Sequence, residues 1–314
     1  MADKKQAADH ALLALGMPRA DALSLACGSA PERPRERCPM LELPEVVTIA
    51  RQMRGELVGK TVASAHRENS PHKFVFYGCD RETFEATPRG GRVTDVSAGG
   101  KWVYVTIGGH TLMFGDIGGR ALYHETPATL PEKYHALLRF DDGSAFSITV
   151  QGWGFLRVED NATAAGHEQY GDKGLYTLSD DFTAEEWVRR LRDFGAANAK
   201  SIKYFMISGP SVPGIGNSYL QDMLYRAGIH PTRPVADIND AEAERLHAAI
   251  RETLSTAIDL GGRDEERDLY GRRGGYARVL GSKTRGKPCP ECGALIEKIQ
   301  YLGGAAYFCP LCQT

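Results

Sequence analysis

The sequence predicts an α+β, multidomain chain: an N-terminal helix plus an antiparallel β-sandwich, then a helical domain, then a C-terminal zinc β-hairpin finger. Three observations predict it. Alternating apolar and polar residues broken by Gly-rich turns run from residue 61 to residue 159, the pattern of short half-buried strands. Apolar residues then recur at helical spacing, most clearly Leu246, Ile250, Leu254 and Ile258, as on an amphipathic helix. Four of the seven cysteines form two C-x-x-C pairs, Cys289/Cys292 and Cys309/Cys312, with 16 residues between the pairs.

Each C-x-x-C makes a tight knuckle that aims two thiolates at one point. Four thiolates complete a tetrahedral shell for one Zn²⁺, with no open position, so the metal is expected to be structural and not catalytic. IEKIQYL and AAYF, around Gly303-Gly304, suit two short strands and a turn. Two disulfides are the alternative, and paired knuckles at this spacing argue against them.

The 314 residues carry 38 Lys+Arg against 40 Asp+Glu, a net charge of -2. That is an ordinary soluble composition with length for two domains and small appendages. No apolar run approaches a membrane span, which excludes a helical membrane protein. The N-terminus, MADKKQAADHALLALG, is too broken by charge for a signal peptide. Cys27, Cys38 and Cys79 show no paired pattern, so a cytoplasmic location with free thiols is expected.

In chain order, residues 1–39 are rich in Ala, Arg and Pro. Ala7 to Leu15 suits one short helix ended by Gly16, and SAPERPRERCP cannot continue it. This stretch reads as a flexible extension or as sequence upstream of a start at Met40. LELPEVVTIARQMRGELVGK follows, with Pro44 and Glu45 suited to a first helical turn. Val46, Ile49, Met53 and Leu57 share one helical face, and Gly59 ends it. Strands are expected at TVASAHRE, KFVFYG, TFEATPRGGRVTDVSAGG, KWVYVTIGG, HTLMFGDIGG, HALLRFDDG and SAFSITVQGWGFLRVE. A polar linker, DNATAAGHEQYGDKG, leads to helices: TAEEWVRRLRDF capped by Ser179 or Asp180, KSIKYFMI, one beginning near Asn217, and Ala241 to Leu260. The loop SGPSVPGIGN empties into the helix at Asn217. Its free N–H groups and positive dipole end are expected to face outward as a phosphate site.

Residues 271–290 carry Arg272, Arg273, Arg278, Lys283, Arg285 and Lys287 and no acidic residue. A local basic run beside a zinc hairpin fits binding to a phosphate backbone. A solvated basic loop is the alternative.

Taken together, LELPEV at 41–46, GGK at 99–101, TLSDDF at 177–182, PGIGNSYLQDMLYRAGIHP at 213–231 and the four cysteines resemble the formamidopyrimidine-DNA glycosylase / endonuclease VIII family of base-excision repair enzymes. The resemblance spans Met40 to Gln313. It implies domains at 40–160 (catalytic-type β-sandwich), 175–262 (helix-two-turn-helix, DNA-binding), 263–284 (basic loop) and 285–314 (Cys₄ zinc finger). It implies a monomer that acts on double-stranded DNA with a damaged base or abasic site, extrudes the lesion and cuts its glycosidic bond. In bacterial-type cells it would sit on the nucleoid when bound to DNA.

Family members use an N-terminal proline as amine nucleophile and the next glutamate to move protons at the sugar. By resemblance, Glu42 matches that glutamate and Glu45 the second glutamate of the motif. Lys101 matches a hairpin lysine at the lesion phosphate. Lys203 and Asn217 match a lysine and an asparagine that grip phosphates, and Trp153 an aromatic wedge in the base stack. Arg272 and Arg273 extend the DNA-binding set. Leu41 stands in the proline's place. Ile117, Gly152 and Gly304 replace a methionine and an arginine that fill the void and an arginine at the lesion phosphates.

Three functions remain open on the sequence. One is a glycosylase in which Glu42 activates water or Lys101 serves as the amine. The second is a non-catalytic or weakly catalytic binder of damaged or abasic DNA. The third is a zinc-stabilised interaction protein without a DNA role.

Overall fold

The computed structural model describes residues 40–164, 176–209 and 212–314. The extension at 1–39, with the helix expected at Ala7–Leu15, lies outside them, as does most of the linker after Ala164.

Helix α1 spans Leu43–Leu57. Its first turn is fixed by Glu42, whose backbone N–H donates to Glu45 Oε2 at 3.0 Å, and by Pro44 near the helix start. Val46, Ile49, Met53 and Leu57 are all buried, as the spacing predicts. Gly59, at φ 94°, turns the chain out of the helix.

Among the described residues, β1 to β9 form two sheets. In one, β1 (Val62–His66), β7 (Ala136–Phe140), β8 (Ala145–Val150) and β6 (Gly119–His124) lie in that order. In the other, the order is β2 (Val75–Tyr77), β9 (Gly154–Asp160), β5 (His110–Gly115), β4 (Trp102–Ile107) and β3 (Val93–Gly99). The sheets enclose a core that includes Val96, Val105, Leu112, Phe114, Leu138, Phe146, Ile148 and Leu156, with α1 packed against it. All pairs are antiparallel except β2 with β9, which is parallel.

Residues 83–100 are not one strand. Arg81–Ala86 forms helix α2, because the Asp80 carboxylate accepts the Thr83 N–H at 2.7 Å and caps it. Only Phe84 of that helix is buried, and β3 begins at Val93 after Gly90 (φ 75°). The linker also starts with a helical turn at 161–164, capped by Asp160, which accepts the Thr163 N–H at 2.9 Å.

The helical domain has α3 (Ala184–Ala197), α4 (Ile202–Ile207), α5 (Asn217–Ala227) and α6 (Asp240–Asp259). The cap of α3 is Thr183, not Ser179 or Asp180: its hydroxyl accepts the Glu186 N–H at 3.2 Å, while Ser179 bonds back to Tyr176. Leu246, Ile250 and Leu254 of α6 face the core with Trp187, Phe205 and Leu220, and Ile258 is buried one turn further on. The C-terminal hairpin pairs β10 (Glu297–Tyr301) with β11 (Gly304–Phe308). Its turn is Leu302–Gly303, both at positive φ (53° and 73°), the backbone of a tight hairpin.

Candidate active site and nucleic-acid interface

The site forms where α1, the 212–216 loop and α5 meet. The Leu43 N–H donates to Gly214 O at 2.9 Å. A side chain at Gly214 (φ 83°) would strike Gly100 O and Leu43 Cβ at 2.8 Å, so the loop passes hard against the β3–β4 turn that carries Lys101. This brings Glu42 under the first turn of α5. Its Oε2 accepts the Gly216 N–H at 2.8 Å and the Tyr219 N–H at 3.4 Å, and its Oε1 accepts the Ser218 N–H at 3.0 Å. Glu42 is 4% exposed.

The anion site expected to face outward at this helix N-terminus is therefore filled from within by Glu42. A carboxylate on the residue just before α1 can only find these donors once α1 and α5 are packed. The preceding residue is equally tied down: Leu41 N donates to Ile117 O at 3.0 Å and its side chain is buried in the sandwich core.

Glu45 sits beside Glu42 and receives the Tyr219 hydroxyl at 2.6 Å and the Arg263 backbone N–H at 2.9 Å. Arg263, unnoticed in the sequence, is buried between Glu45 (Nε, 3.1 Å), Glu266 (Nη2, 3.1 Å) and Glu42 (Nη1, 3.5 Å). Burial opposes its charge, and the Glu45, Glu42 and Glu266 carboxylates outweigh that and raise its pKa. Only the Gly261-Gly262 pair before it hinted at a close approach: a Cβ at Gly262 would press on Glu45 at 3.0 Å.

Lys101 is partly exposed, with Nζ 3.6 Å from Asp116. Lys203 and Asn217 come together under the zinc hairpin. Lys203 Nζ donates to Tyr301 O at 3.0 Å, and Asn217 Nδ2 donates to Ala305 O at 2.9 Å. Lys203 is 0% exposed, and burial pushes its ammonium down to about 8. Gln221, which sequence reasoning missed although it lies one turn after Asn217, donates to Ala305 O (3.2 Å) and accepts from Tyr307 N (3.0 Å).

Trp153, 37% exposed, stands apart from these groups in an aromatic pile. Its ring lies 4.5 Å from Phe76, 5.7 Å from Phe155 and 6.1 Å from Phe74, centroid to centroid. Arg272 and Arg273 are exposed on the loop before the finger. Arg272 lies over the Tyr270 ring, and Arg273 donates to Asp264 O at 3.1 Å. The basic run is not uniformly positive in space. Arg278 pairs with Glu265 (2.6 Å), and Lys283 with Asp264 and Glu265 (3.1 and 3.3 Å). These acids lie just upstream of the run, and the loop folds back to bring them in.

The four cysteine sulfurs lie within 4.8 Å of one another, with Cys289–Cys312 at 3.8 Å and Cys292–Cys309 at 3.4 Å. A tetrahedral Zn²⁺ with Zn–S bonds of about 2.3 Å needs sulfur–sulfur edges of about 3.8 Å. The set fits zinc and is too open for disulfides. The finger is docked on α5: Tyr225 OH lies 3.1 Å from Cys289 Sγ, and Gln313 Nε2 donates to Ile229 O at 2.9 Å.

Sandwich, helical domain and four-cysteine hairpin, joined at a buried carboxylate beneath a helix N-terminus, define a zinc-finger protein built around one internal acid site. Comparison with known proteins gives the family. Residues 40–151 match the formamidopyrimidine-DNA glycosylase N-terminal domain, 174–267 the formamidopyrimidine-DNA glycosylase H2TH domain, and 286–314 the zinc finger found in FPG and IleRS. The chain is 34% identical over 285 residues to the formamidopyrimidine-DNA glycosylase of Chloroflexus aggregans, covering 88% of this chain and 99% of that one. It is 28% identical to that of Bacillus subtilis, over 88% and 99% of the two chains. The structure matches Lactococcus lactis Fpg in complex with an N7-benzyl-Fapy-dG DNA (TM-score 0.77, 27% identity, 87% and 99% coverage). It also matches the same enzyme with an abasic-site DNA (TM-score 0.77, 26% identity, 87% and 99% coverage). The chain belongs to the formamidopyrimidine-DNA glycosylase family. Its C-terminal hairpin is a four-cysteine zinc finger for one structural Zn²⁺. No helix among the described residues is long and apolar enough to cross a membrane.

Proposed function

We propose that the protein is a cytoplasmic DNA glycosylase that binds damaged duplex DNA as a monomer, turns out the lesion and hydrolyses its N-glycosidic bond. The observation that carries this reading is the Glu42 carboxylate, held by three backbone N–H groups and faced by Arg263. Glu42 Oε1 accepts one backbone N–H, and Arg263 Nη1 stands 3.5 Å from it as an ion-pair contact. A carboxylate oxygen has two acceptor sites, and the second, faced by Arg263, takes the proton of a water whose oxygen bonds to C1′. The C1′–N bond breaks, its electron pair leaves on the base, and the base takes a proton from solvent. Glu45 keeps the start of α1 and Arg263 in place.

The other site residues serve binding. Lys203 Nζ and Asn217 Nδ2 each lie 3.8 Å from where a Gly304 side chain would begin, so a phosphate oxygen entering that space would meet both. Lys101 serves the lesion phosphate, Trp153 fills the gap left by the extruded base, and Arg272 and Arg273 meet outer phosphates. Zinc, when bound, holds the hairpin closed and supplies no chemistry.

Leu41, in the place of the family's proline, has no secondary amine, which argues against the family's usual lyase step and leaves Lys101 as the amine for any residual one. A second reading, a non-catalytic binder of damaged or abasic DNA, is favoured by Leu41 and Gly304 together. Base release on a panel of lesion duplexes, wild type against Glu42→Gln, separates them. Release that Glu42→Gln abolishes supports the hydrolase. Lesion-selective binding without release supports the binder. Borohydride trapping on an abasic duplex, with the adduct mapped, reads any surviving amine.

A further inference from the structure

One cation serves three acids at the centre of the site. Arg263 is 1% exposed, and Glu42, Glu45 and Glu266 are each buried around it. The same guanidinium also donates from Nη2 to Met40 O at 2.7 Å, which pins the segment entering α1. One positive charge cannot neutralise three carboxylates away from water, so the cluster is relieved by a retained proton.

The three acids are not equivalent. Glu42 has three backbone donors. Glu45 has the Glu42 and Arg263 backbone N–H groups and the Tyr219 hydroxyl. Among the described residues, the Glu266 carboxyl has Arg263 alone as hydrogen-bond partner. Burial pushes Glu266 up to about 7, against the pull of Arg263 and with Glu45, Glu42 and Glu265 adding to the rise. Tyr219, held up by burial and by Glu45, stays neutral throughout this range.

We propose that Glu266 is a positioning residue for Glu42 that acts through Arg263, its charge deciding how much of the guanidinium is left to Glu42. When Glu266 is neutral, Arg263 is shared by two carboxylates and damps Glu42. When Glu266 ionises, it draws Arg263 toward itself, and Glu42 becomes the stronger proton acceptor. The inference rests on Glu42 being the base that activates water, and it adds a proton-linked setting of that base. Arg263 and Glu266 lie at the head of the 263–284 loop, so this setting belongs to the loop as well as to the residues beside the sugar.

The test uses the full zinc-loaded chain. Single-turnover base release from a lesion duplex is followed from about pH 5.5 to about pH 8.5 for wild type and Glu266→Gln. The wild-type rate is expected to rise roughly threefold through about pH 7, and Glu266→Gln to stay on the lower plateau with unchanged zinc content. The same rise in both proteins overturns the proposal. If wild type releases no base from any duplex, the hydrolase reading fails and the setting of Glu42 fails with it, and the retained proton on Glu266 is then read from stability. Its raised folded pKa gives stability that is complete below the unfolded carboxyl value and is lost as pH rises through about 7. Wild type should then lose melting temperature over that range relative to Glu266→Gln, and parallel curves overturn the retained proton as well.

Discussion

The Gly216 N–H donates to Glu42 Oε2 at 2.8 Å, and the fit depends on residue 216 having no side chain. A Cβ there would stand closer than 3.0 Å to the Glu42 carboxyl. One glycine thus joins two sequence motifs 174 residues apart. Gly216→Ala is expected to displace Glu42, cost about 1–3 kcal/mol of stability by overpacking, and remove most base release. Urea unfolding and single-turnover kinetics measure the two effects, and unchanged kinetics would place the chemistry elsewhere.

Lys203 is an ammonium buried without a carboxylate partner among the described residues. Its folded pKa of about 8 lies below the ordinary lysine value of 10.5. The unfolded chain therefore binds this proton more tightly, and the penalty is full below about pH 8 and relieved as pH rises toward the unfolded value. The gap corresponds to about 3 kcal/mol. Wild type should gain stability relative to Lys203→Met between neutral and alkaline pH. A difference that does not vary with pH refutes the assignment.

Cys289→Ser, or a strong chelator, should release zinc and loosen the hairpin that caps Asn217, Lys203 and Gln221 through Ala305 O. Affinity for abasic-site DNA should fall at least tenfold while the sandwich stays folded. Zinc content, circular dichroism and a binding titration together decide this. Full affinity in the metal-free protein would sink the interface.

Gly304 begins β11 with extended backbone, and nothing approaches its Cβ position closer than 3.8 Å. Gly304→Arg should therefore fold and add a phosphate contact. Affinity should rise, and the slope of log K against log salt should steepen by about 1. An unchanged slope would mean that the hairpin does not face the backbone.

Trp153 is the exposed member of its aromatic pile. Trp153→Ala should weaken damaged-DNA binding by roughly 1–3 kcal/mol, the scale of base–aromatic stacking. Its effect on folding should be smaller. Equal affinity for the two proteins would remove the wedge assignment.

Much of this molecule is legible in one dimension. The zinc ligands are four cysteines in two local pairs, so spacing alone declares them. The buried face of α1 and the α6 register follow from the helical repeat, and the sandwich from alternation and Gly-rich turns. Helix α2 was hidden, because Asp80 caps a turn that strand-like residues follow on both sides. What only the tertiary structure decided is which charges meet. Glu42 takes the helix α5 N-terminus that the loop sequence offers to a phosphate. Arg263, far along the chain, becomes the shared cation of Glu42, Glu45 and Glu266. Two lysines of the basic run are not equal partners for DNA either, since among the described residues Lys283 is paired with acids that precede the run while Lys287 is not. Pairings of this kind depend on burial and on distances of a few ångströms between remote segments. A local pattern fixes which residues can be helix, strand or metal ligand, but the low dielectric that gives a buried charge its partner exists only once the domains close.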